Sequence, residues 1–203
     1  METTRKLEAL VGGSWHEVSV FGLDVKCKEE FLCPHVERFC EAIEVAWVHK
    51  VLLDPCQFTC PGARYAFGCG NDLKESMTQR LVEERGYPSE YAQAMIEETP
   101  HCETKPGAIG INLGNEPNVL IAQLQPNQAM HLVRAYQTKF SKVYRTEISS
   151  VISACGNVTV KAFQTNDMAI SFGCDDSRKF GSITRDRLYA GLPYHMAEEL
   201  VRA

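Results

Sequence analysis

The sequence lacks any apolar run approaching the ~18–20 residues of a membrane-spanning helix, so no membrane association is expected. Met1 to Trp15 lacks the apolar core of a secretory signal, which points to a cytoplasmic protein. Excess positive charge is also missing. The 203 residues carry a net charge of −5, which argues against a nucleic-acid-binding function. There is no Gly-x-Gly-x-x-Gly and no phosphate-binding loop; Gly107, Gly110 and Gly114 read as turns around a strand. The six histidines show no metal-ligand spacing. No catalytic acid–base set stands out, so whether the chain is an enzyme stays open. Composition is that of a folded domain, 44% apolar and 23% charged, and the length suffices for a real core without disulfide staples.

What is present in excess is cysteine, nine residues. An odd count without an export signal makes a disulfide framework unexpected and points instead to metal ligation or redox chemistry. There is no Cys-x-x-Cys, which argues against a structural zinc knuckle and a thioredoxin-like motif alike.

Periodicity predicts a mixed chain. Strands are expected at His16 to Leu23, Val51 to Asp54, Ala108 to Leu113, Asn118 to Leu124, Met168 to Phe172 and Leu188 to Leu192. A turn is expected between Gly114 and Pro117. Helices are expected over Pro34 to Val48, after Pro61, from Asn71 or Asp72 to Arg85, and from Ser89 to about Glu98. Further helices are expected from Pro126 to about Phe140, over Glu147 to Phe163, and from Pro193 onward. Met130, Val133 and Tyr136 are expected to face inward. With no Ser- or Gly-rich linker, the fold class is α/β or α+β, a single mixed domain over residues 1–203.

An internal repeat is the strongest signal. In the first unit, about residues 34–70, Cys40 lies on an amphipathic helix. A short strand follows, then Cys60-x-x-x-Arg64 and Phe67-Gly68. In the second, about residues 147–183, Cys155 lies on a helix, and a strand leads to Cys174-x-x-x-Arg178 and Phe180-Gly181. The cysteines are 20 residues apart in one unit and 19 in the other. Such a duplicated helix–strand–Cys-x-x-x-Arg unit is expected to assemble about a pseudo-two-fold axis, bringing Cys60 towards Cys174. Both precede a helix N-terminus, where backbone N–H groups and the nearby Arg64 and Arg178 favour a thiolate. The plain alternative is that the matched cysteines pack as small hydrophobes.

Four sulfur ligands suit an iron–sulfur cluster, which accepts widely separated ligands, with zinc ranked below it. Cys40, Cys60, Cys155 and Cys174 are the expected ligands, with Cys56, Cys69, Cys33 and Cys27 as weaker candidates. Cys102, in a loop beside His101, is left unassigned. The reading is a [4Fe–4S] redox or electron-transfer protein, with Arg64 and Arg178 tuning the site. The alternatives are a metal-free enzyme or module that holds an anionic small molecule with Arg64 and Arg178, a dithiol redox pair, or an accessory subunit of a larger redox enzyme. A redox partner protein or a small anion is the expected partner, and self-association is left open.

The segments Ser153-Ala-Cys-Gly-Asn-Val, Ser171-Phe-Gly-Cys-Asp-Asp-Ser-Arg178, Phe39-Cys40-Glu41-Ala42 and Cys60-Pro-Gly-Ala-Arg-Tyr-Ala-Phe-Gly68 together resemble the ArCR family. This is a cysteine-rich domain of unknown function found in archaea and anaerobic bacteria. The resemblance spans most of the chain and implies a single domain in an anaerobic cytoplasm. It implies no reaction.

Overall fold

The computed structural model describes residues 2–21, 36–114 and 117–202. The expected helix start at Pro34, the centre of the turn before Pro117, and the candidates Cys27 and Cys33 lie outside the described residues. The chain order is α1 (Glu2–Val11), β1 (Ser14–Phe21), α2 (Phe39–Val45), β2 (Val51–Leu53), α3 (Pro61–Ala66), α4 (Lys74–Arg85), α5 (Ser89–Glu97), β3 (Ala108–Ile111) and β4 (Val119–Leu124). Then follow α6 (Pro126–Phe140), a π-helical segment (Ser153–Val160), α7 (Lys161–Thr165), β5 (Ala169–Ser171), α8 (Asp175–Phe180), β6 (Leu188–Pro193) and α9 (Tyr194–Val201).

The six strands form one sheet in the order β2-β3-β1-β4-β6-β5, with every neighbouring pair antiparallel. The fold is therefore α+β. In the first half β3 lies between β1 and β2, and in the second β6 lies between β4 and β5. The two halves meet through β1 and β4, where Trp15 opposes Ala122 and Glu17 opposes Leu120.

The period-two alternation of strand side chains divides the core between the two faces. Val18, Ile121 and Tyr189 face α2, α3, α4, α5 and the π-helical segment. Trp15, Leu120, Ala122, Leu124, Leu188, Ala190 and Leu192 face α1, α6 and α9. Cys40, Cys155 and the partly buried Cys60 belong to the first of these layers.

Three expectations needed correction. Among the described residues, the helix expected over Pro34 to Val48 is confined to Phe39–Val45, since Arg38 before it is extended (φ −137°, ψ 147°) and Ala46 closes it. The helix expected over Glu147 to Phe163 starts only at Ser153, because Ile152 adopts a left-handed backbone with φ +48°. It then opens to a π-turn. The Thr159 hydroxyl donates to the Ala154 carbonyl (2.7 Å), and the Asn157 amide donates to the Val151 carbonyl (2.7 Å). Gly156 is required here by close approach, since a Cβ would stand 3.0 Å from the Pro100 carbonyl oxygen and 2.9 Å from Ile152. On α6 the inward residues are Ala129, Leu132 and Tyr136, while Met130 is exposed. The helix is rotated slightly from the expected face: Tyr136 is buried and Val133 packs against the core as expected, and only Met130 turns outward.

His16 on β1 is buried, 3% exposed, with Nδ1 2.9 Å from the Asn112 amide nitrogen and Nε2 without a partner. Burial pushes its pKa down from 6.5 to about 4. Between those values the unfolded chain binds a proton that the folded chain refuses, so stability present above pH 6.5 is lost on acidification. Chemical denaturation from pH 7 to 4 is expected to show a His16-dependent loss of at most about 1.4 kcal/mol per pH unit, on the order of 3 kcal/mol in all. His16→Gln should flatten that part of the slope. An unchanged slope in the variant would refute it.

Candidate functional site

Cys60 and Cys174 each occupy the residue just before a six-residue helix that follows an edge strand. Pro61 opens α3 at the first helical position, where its missing N–H costs nothing. Cys174 opens α8 with a reciprocal cap. Its N–H donates to the Ser177 hydroxyl (2.8 Å), and the Ser177 N–H donates to its sulfur (3.5 Å). Cys40 lies in the first turn of α2 and Cys155 in the π-turn, both buried.

All four cysteines line one cavity of about 90 Å³. Contacts between the halves put them there: α2 packs on α8, and α3 packs on the π-helical segment. Gly181, at the end of α8, makes the first contact close. A Cβ there would meet Cys40 Cβ at 2.8 Å and the Ser177 carbonyl at 2.8 Å. The cavity walls are otherwise mostly apolar, with Phe39, Met77, Leu81, Ile96, Val151 and Ile152.

The arginines differ from expectation. Neither Arg64 nor Arg178 lines the cavity. Arg64 donates to the Cys69 carbonyl (3.3 Å), and Arg178 donates to the carbonyls of Phe172, Thr184 (3.1 Å) and Arg187 (3.4 Å). Both brace the loops around their own helices. The spacing from cysteine to arginine is matched in the two units, but the side chains turn to orphan carbonyls. The guanidiniums in the cavity wall are Arg38, Arg80 and Arg85. Each already has an acidic partner: Arg38 pairs with Glu41 (3.1 Å), Arg80 with Glu84 (2.8 Å) and Arg85 with Asp175. Asp176 adds a carboxylate to the wall, its Oδ2 4.0 Å from Cys60 Sγ.

Sequence reading missed Met77, Arg80, Leu81, Arg85 and Ile96 because they belong to the α4–α5 hairpin. That hairpin has no counterpart in the second unit, so a search for repeats passes over it. The Arg85–Asp175 pair fastens it to α8.

At Cys40, Cys60 and Cys155 the surroundings disfavour the thiolate. Burial pushes the Cys40 and Cys155 thiols well up, with the neighbouring sulfurs adding to it. Burial also raises Cys60, against partial relief from the backbone N–H groups of Ala63 and Gly62. At Cys60 the expected thiolate stabilisation is therefore outweighed by desolvation, and Arg64 is not there to help. Among the described residues no three His, Cys, Asp or Glu side chains are grouped to hold a single metal ion.

The other described cysteines, Cys56, Cys69 and Cys102, do not line the cavity. Cys56 and Cys69 are joined in a disulfide, S–S 2.05 Å, contrary to the expectation of free thiols. While it holds, neither is available as a ligand. Cys102 is buried and free, its pKa raised by burial to about 11, and it does not line the cavity. The His101 ring stacks on Tyr65 at 4.6 Å and its Nδ1 meets the Thr99 carbonyl at 3.0 Å.

Behind Cys40, across Gly181, stands the hydroxyl of Tyr189. It is fully buried and makes no hydrogen bond of normal geometry, the Gln123 side chain giving it only a weak polar contact. An unsatisfied buried hydroxyl destabilises a protein, so Tyr189→Phe is expected to raise the stability of the metal-free protein by about 1 kcal/mol. Urea denaturation measures it. A loss of more than about 1 kcal/mol would mean that the hydroxyl is satisfied after all.

A family model described as Uncharacterised ArCR matches residues 7–203. No curated protein and no solved structure matches the chain.

Proposed function

The chain belongs to the ArCR family. Because that membership carries no reaction, we propose from the site itself that the protein binds an iron–sulfur cluster, most simply [4Fe–4S], through Cys40, Cys60, Cys155 and Cys174. Its role is electron transfer in a cytoplasmic, anaerobic setting, with a redox protein as partner. The observation that carries this reading is the convergence of the four repeat-matched cysteines on one small cavity.

Three physical points support it. A cavity of about 90 Å³ lies far below the ~300–1,000 Å³ of pockets for organic ligands, so the occupant must be compact. A single zinc ion would hold its sulfurs roughly 3.8 Å apart at ordinary Zn–S distances, a closeness that favours grouped ligands. A cluster takes its ligands at wider spacing, which suits cysteines supplied by four separate elements. Finally, a cluster with four thiolates is anionic, and Arg38, Arg80 and Arg85, each balanced by its own carboxylate, bring guanidinium groups to the cavity wall beside Asp176.

The same reading includes the duplication. The sheet order is unchanged when β1, β2 and β3 exchange with β4, β5 and β6. The same exchange interconverts the α2–α8 and α3–π-helical contacts. A two-fold axis normal to the sheet, between β1 and β4, accounts for both and keeps all four cysteines on one face.

When bound, the cluster supplies one-electron transfer. The chain's own part is to hold four sulfurs, to exclude water with Phe39, Met77, Leu81 and Ile96, and to fix the surrounding charge through paired arginines. Cys60 and Cys174 are the less buried pair, and a partner would approach nearest to them.

Protein reconstituted without air is expected to bind about four iron and four sulfide per chain and to turn brown. Cys155→Ser should cut the iron to below roughly a quarter, since a neutral hydroxyl is a poor ligand, and Cys102→Ser should leave it unchanged. A colourless, iron-free protein after reconstitution would sink the cluster. It would move the site to a small anion held by Arg38, Arg80 and Arg85, which Arg80→Ala would then weaken.

A further inference from the structure

The disulfide between Cys56 and Cys69 closes a covalent ring around the segment that carries Cys60. Four consecutive ring residues, Cys60, Pro61, Gly62 and Ala63, belong to the cavity wall. The two parts of the ring are held very differently. Tyr65, Ala66 and Phe67 are fully buried in the core and pin the end of α3. Cys60, Pro61 and Gly62 are only partly buried. Outside α3 they are tied to the protein by few polar contacts: the Thr59 and Cys60 N–H groups share the Glu37 carbonyl at 2.9 and 3.4 Å, the Thr59 hydroxyl donates to Glu37, and Cys60 Sγ lies 4.0 Å from Asp176. A six-residue helix has little stability of its own, so its first turn depends on what holds the chain before it. The disulfide adds a covalent hold to those bonds. Cys56 is fixed by its N–H to the Asp54 carboxylate (3.0 Å), and Cys69 by mutual backbone and side-chain bonds with Arg64. Both cysteines are partly exposed, so a reductant can reach the bond.

We infer that Cys56–Cys69 is a reversible thiol–disulfide switch that sets how firmly Cys60 is held in the cavity wall, and that its reductant is a dithiol of the thioredoxin class. One donor thiolate attacks a ring sulfur and forms a mixed disulfide, releasing the other ring cysteine as thiolate. The donor's second thiol then attacks the mixed disulfide, freeing the attacked ring cysteine. Two electrons and two protons pass from the dithiol, which leaves as a disulfide, to Cys56 and Cys69. With the ring open, the anchored half of α3 stays in the core and the Cys60 end gains freedom. The inference regulates the cluster site proposed above, yet its main readout needs no metal.

Metal-free protein, oxidised or reduced with dithiothreitol and desalted without air, is alkylated with iodoacetamide and followed peptide by peptide. Native protein should yield the Cys56–Cys69 linkage to dithiothreitol at neutral pH, and Cys60 should then alkylate about tenfold faster, as expected when a local restraint is lifted. The double variant Cys56→Ser/Cys69→Ser should match the reduced protein. If that variant folds poorly, the reduced wild type alone decides. A linkage that resists dithiothreitol until denaturant is added would make it a fixed staple and overturn the switch. So would a Cys60 rate that changes less than about twofold. The two readings fail separately. Iron-free protein with a switched Cys60 rate removes the cluster and keeps the switch, and equal iron loading with an unswitched rate does the reverse.

Discussion

The pairing of β1 with β4 is the constraint on which the rest of the structure depends. Each half alone is three strands with helices on their faces. Only when β1 and β4 share a hydrogen-bonded ladder do the halves become one sheet. Buried strand backbones must be paired, and here they pair with each other. The register is fixed as strictly as the pairing. A slip of one residue would turn Ile121 to the α6 side and Leu120 to the cysteine side, reversing both cores. Coplanar halves place α2 beside α8 and α3 beside the π-helical segment. The cavity exists because of those two contacts.

The site is built from short or irregular pieces, and clamps replace the stability that longer helices would supply. Gly181 lets α8 come against Cys40. Ile152 and Gly156 permit the tight π-turn that aims Cys155 inward. Arg85 and Asp175 tie the α4–α5 hairpin across to the second half. Burial favours the neutral thiol at Cys40, Cys60 and Cys155, so these three do not fill the metal-free pocket with repelling charges. Such a pocket can stay closed and apolar until an occupant displaces the protons.

Much of this was legible in residue order. The strands were placed to within about two residues, because buried strands run apolar and end at Gly, Pro or Asn. The capping positions of Cys60 and Cys174 followed from Pro61 and from the polar run after Cys174. The arginines show the limit. Arg64 and Arg178 share a spacing, but spacing does not say which way a side chain turns when a carbonyl lies nearer than the cavity. The face of α6 was misplaced for a related reason. Met130 and Ala129 are both acceptable inward residues, and packing against α1 and α9 chose Ala129.

By itself the sequence determined which residues recur: two cysteines per unit, a strand and a turn before the second, a helix around the first. Those are local properties, set by periodicity and by proline and glycine. Only the tertiary structure decided that the four cysteines meet, that Arg38, Arg80 and Arg85 surround them, and that Cys56 bonds Cys69. Each of these joins residues from elements distant in sequence or turned by loops. Their meeting depends on the β1–β4 register and on side-chain burial, which no spacing along the chain encodes.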